Sequence, residues 1–113
     1  MTKAIIIPAD TTQPIRAAKI NGYPDLSEAV GGMIQPVDGE DFTAYVNEEG
    51  KLIGLDFNPR ANSFIHAEVP TLPAYDLIVG DVVVLGSLDE EGDETDVPER
   101  VAQALGLTLA QAA

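Results

Sequence analysis

The chain has no cysteine, one histidine, and six lysines and arginines against nineteen aspartates and glutamates in 113 residues. The missing thiol excludes disulfides, thiolate metal sites and a cysteine nucleophile, and it is compatible with a reducing cytoplasm. Any metal would have to be held by carboxylates and a lone imidazole. The shortage of cations, with a net charge of -13, argues against direct binding to nucleic-acid phosphates and favours a basic protein as partner. No apolar run approaches the roughly 20 residues of a membrane-spanning helix, and the opening MTKAIIIPAD is too short in apolar residues for a secretory signal. The expectation is a soluble cytoplasmic protein with no membrane partner. GxxxxGK[ST] and GxGxxG are also missing, which disfavours ATP hydrolysis and dinucleotide redox chemistry. No cofactor is expected.

What is present is an apolar fraction of 45%, enough for one core at single-domain length. Lys3 to Ile7 carries three consecutive isoleucines and stops at Pro8, as a strand buried on both faces would. A weaker strand is read at Pro14 to Ile20, closed by Asn21-Gly22. YPDLSEAVGG reads as a two-turn helix, with Leu26, Ala29 and Val30 on one face and Gly31 or Gly32 as its stop. Strands follow at Met33 to Val37 and at Phe42 to Asn47, close enough to pair antiparallel.

The segment AYV-NEEG-KLIGL predicts a hairpin, with Asn47 opening the turn and Gly50 at a left-handed position. NPRANSFI predicts a helix from Pro59 to about Ile65, capped by Asn58 with Pro59 at its first position. YDLIVGDVVVLG places a strand at Asp81 to Leu85, with a turn or short strand at Leu77 to Val79 before it. DVPE has capping-box spacing, Asp96 to Glu99, ahead of an amphipathic helix through Val97, Val101, Ala104 and Leu105. The fold expectation is α+β: a mostly antiparallel sheet of five or six short strands, two short helices and a C-terminal helix. The division expected is one domain over residues 1–88, an acidic linker over 89–96 and a helical tail over 97–113. DEEGDETD is read as a solvated, self-repelling run; its spacing lacks the alternating ligands and terminal Glu of an EF-hand loop.

The order IIIPAD, LSEAVGGMIQPV, AYVNEEGKLIGLDFNPRA and DLIVGDVVVLG resembles a family of small phage and actinobacterial proteins catalogued as domain of unknown function 3846. The likeness covers about residues 3–86 and leaves out the acidic tail. It implies a phage or mobile-element setting, so that the cytoplasm concerned is the host's, and it carries no reaction.

Candidate chemistry is sparse. Ser63, His66 and a nearby acid contain the groups of a hydrolase relay, yet no GxSxG elbow supports one. His66 therefore reads as a helix-end residue, and no catalytic residue is assigned. Arg60, in the first turn of the second helix, adds a forked donor beside amides that favour anions. With Asn58, Asn62 and Asn47 it forms the candidate ligand-binding set; the alternative is Asn58 as a cap and Arg60 paired with Asp56. Phe57 and Phe64 are expected to pack the helix onto the sheet. Asp10, Thr11 and Thr12 follow a strand end, where Asx and Thr turns explain them as well as a site does. The function expected is a non-enzymatic phage or mobile-element accessory protein that binds a host factor or sequesters a small anion. Exposed sheet edges give a route to a homodimer. The alternatives are an acidic DNA mimic that occupies a nucleic-acid-binding host protein, and a structural role.

Overall fold

The TKAIII run forms β1, Thr2–Ile7, and every residue from Ala4 to Ile7 is buried. A strand with apolar residues on both faces needs cover on both, and the computed structural model supplies it. The model describes residues 1–107; residues 108–113, the end of the expected helical tail, lie outside the described residues. β2 spans Arg16–Ile20, α1 Gly22–Val30, β3 Ile34–Asp38, β4 Phe42–Asn47, α2 Pro59–Glu68, β5 Val82–Gly86 and α3 Glu99–Ala104. The five strands form one antiparallel sheet in the order β2-β1-β5-β4-β3. This is an α+β fold built from two hairpins, β1-β2 and β3-β4, with β5 inserted between them.

Because side chains alternate across a strand, the sheet has two apolar faces. Ile5, Ile7, Phe42, Ala44, Val82 and Val84 face α2 and α3, which contribute Phe64, Ile65 and Val101. Ala4, Ile6, Tyr45, Val83 and Leu85 pack with Leu26 and Val30 of α1 on the other side. β5 is central and buried throughout, which is why its sequence is an unbroken VVVLG. Gly31 ends α1 in the left-handed region, φ 79°, and its amide donates to the carbonyls of Ser27 and Glu28. At the two sheet edges, β3 carries Pro36 and β2 carries the exposed Arg16 and Lys19, residue types that blunt edge-to-edge pairing.

Three local expectations give way to tertiary competition. Lys51 to Leu55 is not the return strand of a hairpin; it coils into turns, with Ile53 N donating to Glu49 O at 3.0 Å and Leu55 N to Gly50 O at 2.9 Å. Both edges of β4 are already filled, by β3 and β5, so no ladder position is left for a return strand. Gly54, at φ 73°, takes the left-handed position expected of Gly50.

Asp96 does not cap the last helix. Its Oδ1 accepts from Lys3 N at 2.8 Å, while Pro98 occupies the cap position without a side-chain bond. The third difference is the acidic run, which is folded back on itself. The Asp89 carboxylate accepts from the amides of Glu91 and Asp93, both at 2.9 Å, and Gly86 N donates to Thr95 O. Val97, Val101 and Ala102 then join the α2-side core, and Arg100 forks onto both oxygens of Asp41 and reaches Glu68 at 2.9 Å. The last helix is therefore seated on the same core as the sheet rather than standing off behind a linker.

Candidate functional site

Asn58 ends an extended approach to α2 and is fully buried. Its Oδ1 accepts from Ala61 N at 3.0 Å, as the cap reading expects, and its Nδ2 donates to Ile7 O and Gly80 O, each at 2.9 Å. One side chain thus joins the end of β1, the entry to β5 and the start of α2. Both amide donors and the oxygen are used internally. Asn62 Oδ1 accepts from Ile78 N at 3.1 Å. Asn47 donates to Val30 O at 3.1 Å and accepts from Glu49 N at 2.8 Å. The three asparagines of the candidate set are all engaged with backbone, and Asn47 lies apart from the other two, at the end of β4.

Among the described residues Arg60 makes no ion pair with Asp56, and it lines an open cleft with Ile15, Phe64 and Leu105. Its Nη2 donates to Pro8 O at 2.8 Å and to Asp10 O at 3.1 Å, which fastens the loop after β1 onto α2. Its Nε is buried and, among the described residues, has no hydrogen-bond partner. Hydrogen bonds from the Thr12 hydroxyl and amide hold the Asp10 carboxyl below its usual range, with the Arg60 charge adding to them. Asp10 and Thr12 therefore form an Asx-type turn.

His66 Nε2 lies 2.7 Å from Asp76 O, and because a carbonyl can only accept, that nitrogen carries the proton. Ser63 is exposed, and among the described residues no hydrogen bond joins it to His66. Phe64 packs on Phe42 with ring centroids 5.2 Å apart, as expected, whereas Phe57 is about half exposed, contrary to the expectation that it holds the helix to the sheet. Tyr45 is buried, and burial, with the charges of Glu94 and Asp38, pushes its hydroxyl pKa up. Asp89, Glu91 and Asp93 bring carboxylate oxygens within 4.8 Å of one another on an exposed turn, where Asp89 is already accepting from two amides.

The feature that stands out on the surface was not among the sequence candidates. Two loops, residues 48–57 and 70–79, lie against each other. Lys51 pairs with Asp76, Gly80 N donates to Asp56 O at 2.8 Å, Asn58 N donates to Ile78 O at 2.9 Å, and Phe57 bridges to Val79. From these clasped loops Leu52, Ile53, Phe57, Tyr75 and Leu77 project into solvent, with Leu52 and Tyr75 each 86% exposed. Beside them is a groove of about 400 Å³, floored by Val37 and Val46 and walled by Leu52 and Leu77 to Val79, with Glu48, Lys51 and Asp76 on its polar side. The signal was present as the apolar pair Leu52-Ile53 between turn residues, but a hairpin reading assigned that pair to a strand.

Among the described residues no helix is long and apolar enough to cross a membrane. The family described as a domain of unknown function, DUF3846, matches residues 1–109, a span that includes the acidic turn and α3 as well as the sheet. No curated protein and no solved structure matches the chain.

Proposed function

Since this chain belongs to the DUF3846 family, whose description names no activity, we propose its function from the surface itself: it is a non-enzymatic binding protein for a basic protein partner. The observation that carries this reading is the cluster of Leu52, Ile53, Phe57, Tyr75 and Leu77 on two mutually clasped loops. Large apolar side chains grouped on loops and exposed to this degree lower the free energy when a partner covers them. The chain's charge of -13 selects which partner arrives, by steering positively charged surfaces toward it and repelling acidic ones. A small-anion ligand is less well supported, because Arg60, Asn58 and Asn47 already spend donors on the backbone and the Asn62 oxygen accepts from Ile78 N. In the phage or mobile-element setting suggested by the family resemblance, the partner would be a host protein.

Cross-linking in cells that naturally carry the protein tests this reading. The wild-type chain is expected to cross-link to a basic protein, and a Leu52→Gln, Tyr75→Gln double variant with an unchanged melting temperature is expected to lose that product. Retention of the same product by the double variant would overturn the assignment of the function to this surface. If instead the complex survives the double variant and dissociates with salt alone, the contact is made by carboxylates, as a DNA mimic would make it.

A further inference from the structure

Resting on that reading, we infer that the groove beside the clasped loops seats a short basic amphipathic helix of the partner, with its aliphatic side chains on Val37 and Val46. On the side of the sheet covered by α2 and α3, the register places Val37 beside Ala44 and Gln35 beside Val46. Ala44 is fully buried beneath the helices, while Val37 and Val46 at the β3 end are only partly covered and floor the groove. An apolar sheet face is ordinarily closed by a helix. Among the described residues all three helices of this chain sit elsewhere: α1 is on the opposite face, and α2 and α3 lie over the core around Phe64 and Val101.

The chemistry of the walls sets what fits. Glu48 and Asp76 line the groove, and the one cation that lines it among the described residues, Lys51, is already paired with Asp76. An occupant flanked by lysine or arginine is complementary, and an acidic one is repelled. Leu52 and Leu77 form an aliphatic lip on the loop side, so anchors are expected from one face of the occupant. An added strand is the weaker fit, since Pro36 on the outer strand β3 has no amide to donate. A helix needs no ladder hydrogen bonds from the groove. It presents side chains at i, i+3, i+4 and i+7, the spacing by which helices are read in grooves.

The test uses two synthetic peptides of identical Leu/Lys composition, one with leucines at helical i, i+3, i+4, i+7 spacing and one with the order scrambled, titrated into the isotopically labelled full chain. The patterned peptide is expected to shift the amides of Val37, Val46, Leu52 and Leu77 to Val79, and to bind about tenfold more tightly than the scrambled one. Leu52→Gln and, separately, Leu77→Gln are each expected to weaken the patterned peptide by about tenfold. Equal binding of both peptides, shifts confined to the Asp89–Asp93 turn, or no binding by either would overturn the groove assignment. None of these outcomes touches cross-linking of a native partner through Leu52 and Tyr75, so the general binding function stands or falls separately.

Discussion

Asn58 Nδ2 donates to the carbonyl of Ile7, 51 residues earlier in the chain, at 2.9 Å and with no exposure to solvent. The same nitrogen reaches Gly80 O, and the side-chain oxygen caps α2. Removing the side chain would take away its hydrogen bonds to the Ile7 and Gly80 carbonyls and from the Ala61 amide. Asn58→Ala is expected to lower stability by about 2–4 kcal/mol in urea titration. Asn58→Asp keeps the cap but turns an oxygen toward the carbonyls of Ile7 and Gly80, so it should fail to rescue. A cost below about 1 kcal/mol for Asn58→Ala would contradict the clamp.

Arg60 holds the Pro8 and Asp10 carbonyls, so its expected role is to order the loop after β1. Arg60→Ala should cost about 1–2 kcal/mol and raise amide exchange in the turn where Gln13 N donates to Asp10 O. Binding of the patterned Leu/Lys peptide should be unchanged, because Arg60 does not line the groove. Loss of that binding in a folded Arg60→Ala variant would return Arg60 to the recognition surface.

A side chain at Gly86 would collide with Thr95 Oγ1 and the Asp96 carbonyl. Gly86→Ala therefore pushes the 95–97 strap off β5, and with it the seat of Val97. A loss of about 1–3 kcal/mol is expected, with faster hydrogen exchange concentrated in residues 97–104. Unchanged protection of α3 in that variant would show that the helix is held without the strap.

Hydrogen bonds from Arg100 hold the Asp41 carboxyl below its usual range. A carboxyl whose pKa is lower folded than unfolded contributes stability above its unfolded value, and loses it as pH falls through the folded one. The urea-midpoint difference between wild type and Asp41→Asn should thus be present at about pH 7 and vanish by about pH 2. It should be small and shrink with salt, since both side chains are largely exposed. A difference that grows on acidification would have the wrong sign for this pairing.

The cap at Asn58 was legible because Asn-Pro before an amphipathic run has a local meaning: the oxygen reaches only three residues ahead. Its Nδ2 partners were not legible, since Ile7 and Gly80 are distant in sequence and meet only when β1 and β5 pair. The same holds for Arg60, whose acceptors are carbonyls, a group every residue carries and no sequence pattern marks. The exposed Leu52 and Tyr75 were hidden for the opposite reason. Sequence hydrophobicity gives them the same weight as core residues, and only the solvent boundary of the folded chain separates the two.

By itself the sequence determined the backbone preferences that short-range sterics control: β-branched runs extended at β1 and β5, a glycine at 31 or 32 as the left-handed stop of α1, Asn58-Pro59 as the start of α2, and hence the α+β class. The tertiary structure decided the contests between near and far partners. β4 took β3 and β5 as neighbours, so Lys51 to Leu55 had no edge to join and turned its apolar pair outward. Asp96 took the amide of Lys3 in place of the helix it precedes, and drew the acidic segment and α3 onto the core. Local hydrogen-bonding options are nearly equal in energy, and burial of the apolar side chains around them selects among them.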